Sequence, residues 1–253
     1  HMVPRVQIIG ITGIPEVTEG DDLTALILSA AQAQGTTLEA GDVLVVTQKV
    51  VSKAEGAVVD LKEVTPSLLA LEFALEYNKD PRLVEVVLRE SRRIVRMERG
   101  VLIAESKHGF ICANAGVDAS NIPGKERVSL LPRDPDGSAR RLRKESMARL
   151  GFPVAVIISD SFGRPWRLGA TDVAIGLAGI SPFRDYRGVT DPYGYLLRTS
   201  VAAIADEIAS AAELVTGKVD LVPVSIVRGF PYLPDEEATA KHLLREASLD
   251  LFR

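Results

Sequence analysis

Five consecutive apolar residues, Val154-Ala155-Val156-Ile157-Ile158, four of them β-branched, end directly on Ser159-Asp160-Ser161. Such a run reads as a strand buried on both faces. Phe162-Gly163-Arg164-Pro165-Trp166-Arg167 follows, holding two arginines and the only tryptophan of the chain. A buried strand that delivers a carboxylate to its end resembles the way many enzymes present a metal ligand to a phosphate. Asp and Ser also open turns and caps, and this stretch alone leaves both readings open.

Composition narrows the class. The chain has 253 residues, 46% apolar and 25% charged. That suits one large folded domain or two intimate ones. A net charge of -4 gives no electrostatic case for nucleic acid, which wants a basic face. Cys112 is the single cysteine, so an intramolecular disulfide is excluded. No apolar run approaches the ~20 residues that span a bilayer, and no signal peptide opens the chain, so a cytoplasmic protein without membrane contact is expected. His1-Met2 reads as a cloning remnant, and His1 is left out of any site.

Strands and helical patterns share the chain. Val6 to Ile11 reads as a strand, and Asp21 or Asp22 caps a helix through Leu23, Leu26, Ile27 and Ala30 that stops near Gly35. Val43 to Val46 is a second buried strand. It leads into Gln48-Lys49-Val50-Val51-Ser52-Lys53, where two lysines and a serine suit phosphate contact or plain solvent exposure. Thr65-Pro66 and Asp80-Pro81 open two helices, the second with Arg89, Arg92 and Arg93 outward. Short strands over Ile94 to Glu98, Val101 to Ala104 and Phe110 to Ala113 come next. They run into Asn114-Ala115-Gly116-Val117-Asp118-Ala119-Ser120-Asn121, a small-residue loop that fits an Asx turn or an oxygen-rich ligand site.

A turn-rich segment from Leu130 to Gly137 precedes a basic helix through Arg140, Arg141, Arg143 and Lys144. Ser159 to Arg167 is expected as a loop, and the glycine-punctuated run Leu168 to Ile180 as a strand or strand pair. Aromatics mixed with Arg and Asp from Ser181 to Tyr195 fit a ring-binding loop or ordinary packing. An alanine-rich helix from Ser200 to Thr216, a strand from Val222 to Val227 and an amphipathic helix through Glu237, Leu243, Leu244 and Leu249 close the chain.

Several chemistries lack their signatures. The chain has no Gly-x-x-x-x-Gly-Lys-Ser/Thr loop and no Gly-x-Gly-x-x-Gly fingerprint, and no nucleophile elbow. One Cys and two native His at unrelated positions do not build a zinc site. Acids and hydroxyls at strand ends with lysines nearby remain, a donor set for hard cations on substrate phosphates.

Taken together and in order, Gly13-Ile14-Pro15-Glu16, Val50-Val51-Ser52-Lys53-Ala54-Glu55-Gly56, Asn114 to Asn121, Ser159 to Arg167 and Ala212-Glu213-Leu214-Val215 resemble the coenzyme F-420:L-glutamate ligases, or F-420-0:gamma-glutamyl ligases. The resemblance covers almost the whole chain. It implies an α/β (α+β mixed) fold with mixed sheets and flanking helices over residues 3–253, and an intertwined homodimer. The implied reaction attaches L-glutamate to the 5-deazaflavin coenzyme F-420-0 with GTP as co-substrate. Magnesium or manganese (Mg2+ or Mn2+) is the implied divalent ion, with a monovalent cation as a further candidate.

By the same resemblance Asp118, Asp160 and Ser161 hold metal. Ile14, Pro15, Glu16, Val17, Gln48, Lys53 and Asn121 surround GTP, with Thr216, Gly217 and Lys218 near its phosphates. Asp118, Asp160 and Lys53 are the implied catalytic set, and Arg164, Trp166 and Arg167 are candidates for the deazaflavin. Archaeal members carry Gln or Glu where this chain has Lys218. An ammonium cannot ligate a metal, so either Lys218 replaces part of a second ion's charge or the turn is rearranged. Two-domain actinobacterial relatives look closer at this turn, and their C-terminal nitroreductase-like domain has no counterpart in the sequence. A GTP-binding regulatory module, or a ligase for another amino acid or acidic cofactor, are the competing readings.

Overall fold

The computed structural model describes residues 3–251, so His1-Met2 lie outside it. Its first strand, β1 (Gln7–Ile11), leads to α1 (Leu23–Ala33), which Asp22 caps by accepting the Ala25 N–H at 3.0 Å. β2 (Val43–Thr47) runs straight into the short helix α2 (Gln48–Ala54), a turn of chain that the residues alone do not announce as helical. β3 (Val58–Asp60) precedes α3 (Leu68–Tyr77) and α4 (Pro81–Glu90). Ser67 caps α3, with its hydroxyl accepting the Ala70 N–H, so the cap lies two residues past the expected Thr65.

β4 (Ser91–Glu98), β5 (Val101–Ser106) and β6 (Ile111–Ala113) form a three-stranded antiparallel sheet. Arg92 and Arg93, expected on the outward helix face, fall instead in β4, because α4 ends at Glu90; both pair outward with Glu105, while Arg89 of α4 pairs with Glu85. β7 (Arg127–Ser129) pairs with β3. α5 (Pro135–Leu150) starts inside the segment expected as turns, because Asp134 caps it and Pro135 takes the first helical position, where a missing N–H is harmless.

β8 (Ala155–Arg164) and β9 (Arg167–Ala178) form one long hairpin. The expected loop from Ser159 to Arg167 is therefore corrected to paired strand, closed by Pro165-Trp166 with Trp166 at φ 58°. Asp, Ser and Gly looked like turn residues, but β9 supplies a ladder partner to each of them. β10 (Arg184–Asp185) pairs with β11 (Val201–Ala202), which delays α6 (Ile204–Thr216) four residues past its expected start. β12 (Val224–Arg228) is the last strand.

The main sheet has the order β1-β12-β2-β8-β9, with β2 and β8 parallel and the other pairs antiparallel. Strand alternation splits its side chains between two cores. Val43, Val45, Ala155 and Ile157 meet Ile204, Ala205 and Ala209 of α6, whereas Leu44, Val46, Val156 and Ile158 meet α1, α2 and α5. Each such buried Val or Ile contributes about 1.5–3 kcal/mol relative to exposure. Both apolar runs are thus strands covered on two faces, as their composition implies. A third core joins α3 and α4 to β5, β7 and the loop after β6 through Phe73, Val84, Leu102, Val117 and Val128.

The expected closing helix is also corrected. Residues 240–243 and 247–249 form single 3-10 turns, and Leu244 between them is extended (ψ 128°). Leu243 packs into the core under α6 and Leu244 into the core on the opposite face of the sheet. Adjacent residues of a helix share too much of one side for that, so the segment is tied down irregularly instead, with the Ala240 N–H donating to Asp136.

Candidate active site

Beside the second half of β8 a cavity of about 520 Å³ opens among the segment after β1, α2, the loop after β6 and the end of α6. Five stretches far apart in sequence wall it. Ile14, Pro15, Glu16 and Val17 come from the segment after β1, and Gln48, Lys49 and Lys53 from α2. Asn114, Gly116, Asp118 and Asn121 come from the loop after β6; Asp160 and Ser161 come from β8. Thr216, Gly217 and Lys218 close it at the end of α6. The predicted nucleotide and metal residues are thus brought together. Arg164, Trp166 and Arg167 are not: they sit at the exposed tip of the hairpin, where Arg164 donates to the Leu168 carbonyl at 2.8 Å.

The hairpin aims the acids through a β-bulge. Register shifts between Ile158 and Ser159, which pair with Gly176 and Ala174 and leave Ile175 as the extra residue. Bulges re-aim side chains in this way. Beyond it Asp160 pairs with Val173, and Ser161 stands directly opposite Asp172. Cross-strand partners share a face, and the Ser161 hydroxyl donates to Asp172 Oδ1.

The loop after β6 takes a strained path to present Asp118. Asn114, Ala115 and Gly116 have φ of 55°, 51° and 78°. Left-handed backbone costs a non-glycine residue about 1–2 kcal/mol, and a Cβ on Gly116 would lie 2.5 Å from Leu131 Cγ. Strain of this kind persists where the surroundings over-determine it, often at functional sites. After that turn Asp118 bridges to Ser129 of β7, and its carboxylate receives Lys49 Nζ at 2.5 Å and the Ser120 N–H at 2.8 Å. Lys49 also donates to the Ser120 carbonyl at 2.8 Å.

Charge is unevenly shared among these groups. Burial pushes the Asp118 carboxyl up, but the Lys49 ammonium and the Ser120 bonds outweigh it and hold it below its ordinary value. Burial raises Asp160 to about 7; the Asp172 and Asp118 carboxylates add to the rise, against the Ser161 N–H and Lys49. Lys53 pairs with Glu16 at 2.7 Å. Lys218 lies 3.7 Å from both Asp172 Oδ1 and Glu213 Oε1, and its ammonium contacts the Ser161 hydroxyl.

What this arrangement can do follows from its atoms. Ammonium groups beside an acid with no cation of its own suit an anionic ligand carrying a hard divalent ion. Among the described residues no three acids stand close enough to cage a cation by themselves. An ion here would hold one or two carboxylates and take its remaining oxygens from phosphates and water, the usual habit of magnesium. Thiol and imidazole chemistry have no place in it. Burial pushes the Cys112 thiol up to about 12, and neither His108 nor His242 lines the cavity. His108 instead bonds the Pro132 carbonyl at 2.8 Å.

Asp172 escaped the sequence reading. It sits inside a glycine-punctuated apolar stretch, and only the register of the hairpin places it opposite Ser161. Lys49 was visible as a strand-end lysine, but nothing in its spacing separates it from Lys53.

Comparison with known proteins shows the family. A family model described as F420-0:Gamma-glutamyl ligase matches residues 12–229. The chain is 46% identical over 250 residues to a Methanothermobacter thermautotrophicus protein named Coenzyme F420:L-glutamate ligase, covering 98% of this chain and 99% of the relative. A protein of the same name from Methanopyrus kandleri is 46% identical over 94% of each chain. One from Methanocaldococcus jannaschii is 42% identical over 98% of this chain and 97% of its own.

Proposed function

The chain belongs to the F420-0:gamma-glutamyl ligase family and is a ligase, and we propose that it joins L-glutamate to coenzyme F-420-0 using GTP. The observation that carries this reading is the cavity that gathers three lysines and four acids from six separated stretches of chain. In the proposed reaction a carboxylate oxygen of the coenzyme's lactyl-phosphate tail attacks the γ-phosphorus of GTP, and the β–γ bridging oxygen leaves with GDP. The amine of L-glutamate then attacks the acyl carbon of the resulting acyl phosphate. An amide bond forms, phosphate leaves, and the amine's surplus protons pass to phosphate and solvent.

Two anions must meet in the first step, and the lysines answer their repulsion. Lys49 is fixed by Asp118 and Lys53 by Glu16, so both ammoniums are positioned before any ligand arrives. Asn121 braces the two loops by donating to the Lys218 carbonyl at 3.4 Å. Asp118 and Asp160 are the residues that would hold magnesium or manganese, which supplies charge neutralisation at the phosphates. Holding the acyl phosphate beside the amine contributes several kcal/mol through proximity alone. Homodimer formation belongs to the same reading. It is supported by leucines left exposed on α3 (Leu68 78%, Leu75 87%), since contiguous exposed apolar surface marks contact sites. Sedimentation as a monomer at assay concentration removes that part.

Phosphate release tests the reaction. It is expected only when GTP, a divalent ion, F-420-0 and L-glutamate are all present. Tight GTP binding without turnover in the full mixture contradicts the ligase and leaves a nucleotide-binding module. Turnover with another amino acid in preference to L-glutamate corrects the substrate.

A further inference from the structure

Four carboxylates line the cavity, Glu16, Asp118, Asp160 and Asp172, and three lysines, Lys49, Lys53 and Lys218. Each lysine has its own acid: Lys53 takes Glu16, Lys49 takes Asp118, and Lys218 takes Asp172. Among the described lining residues Asp160 alone has no ammonium partner.

Lys218 is held in a particular way. Its ammonium contacts the Ser161 hydroxyl and lies 3.7 Å from Asp172 Oδ1 and 3.7 Å from Glu213 Oε1. The Asp172 side chain is only 6% exposed, and its strand is fixed from behind by Ser210, whose hydroxyl donates to the Asp172 carbonyl at 2.7 Å. Two carboxylates and a hydroxyl from three different elements converge on one positive centre. A small cation would ask for the same oxygens. Gly217, with φ 60° and ψ −166°, permits the turn that delivers Lys218 there.

We propose that the Lys218 ammonium, set beside Asp172, Glu213 and Ser161, is a built-in cation, so that the nucleotide-loaded site takes one divalent ion, held by Asp160 with Asp118, and none at Ser161. Asp172 acts through Lys218 as a positioning residue. The inference rests on the metal–nucleotide reading above.

Counting bound Mn2+ by electron paramagnetic resonance, with a non-hydrolysable β,γ-imido analogue of GTP, tests it without turnover. The wild-type chain is expected to bind one Mn2+. Lys218→Gln, which removes the charge and offers an amide oxygen, is expected to bind two, and Lys218→Arg to keep one. Two ions in the wild type, or one in a folded Lys218→Gln protein, overturns the built-in cation. If Lys218→Gln does not fold, the wild-type and Lys218→Arg counts still decide. Analogue binding with no Mn2+ at all defeats the metal reading itself, which separates the two failures.

Discussion

The Asp160 carboxyl is held near 7 where an aspartate ordinarily titrates at 3.8, chiefly by burial and secondarily by the Asp172 and Asp118 carboxylates. Its sign matters for stability. Between those two values the native chain keeps a proton that the unfolded chain has lost, so native stability falls as pH rises through that window. With a chelator present and no nucleotide, the wild-type melting temperature is expected to drop from pH 5 to pH 7.5 more steeply than that of Asp160→Asn, which carries no titrating group there. Identical pH slopes contradict the assignment. Protons and divalent ions compete for the same oxygens, so this acid also links cation affinity to pH. Asp118 answers oppositely, because Lys49 keeps it ionised.

At the scale of elements, the site depends on how closely β9 and α5 approach. A Cβ on Gly176 would lie 2.4 Å from the Pro135 carbonyl oxygen. Next to this contact Asp136 accepts the Leu177 N–H at 3.0 Å and the Ala240 N–H at 2.8 Å, tying the helix start to the strand and to the closing segment. Gly176→Ala must push α5 away, and overpacking of this kind costs about 1–3 kcal/mol. The expected readout is a lower urea midpoint at unchanged slope; an unaltered midpoint shows that the approach is slack.

The same elements mark what a sequence can reveal. β2 and β8 were legible because apolar, β-branched runs leave few alternatives. The hairpin beyond Ser159 was not, since Asp, Ser and Gly favour turns locally and only the partner strand overrides them. Leu243 and Leu244 suggested one helix face, yet each enters a different core. Asp172 depended on both the hairpin and its bulge, so no local signal could have disclosed it.

In the whole molecule, the cavity is walled by segments from distant parts of the chain, and no single element contributes all its chemistry. The main sheet supplies Asp160, Ser161 and Asp172; the third core carries the loop with Asp118; the end of α6 brings Lys218. Colinear motifs spanning most of the chain made this convergence legible through resemblance, since each motif alone fits an ordinary turn. Among the described residues no helix is long and apolar enough to cross a membrane. The proposed ligase reaction needs these walls to hold GTP, F-420-0 and L-glutamate for amide formation. Mass spectrometry of the deazaflavin after incubation with the chain, GTP, Mn2+ and L-glutamate tests it most directly. The expected product is heavier by one glutamyl residue or a whole multiple of it and forms only with GTP. A coenzyme of unchanged mass in the complete mixture contradicts it.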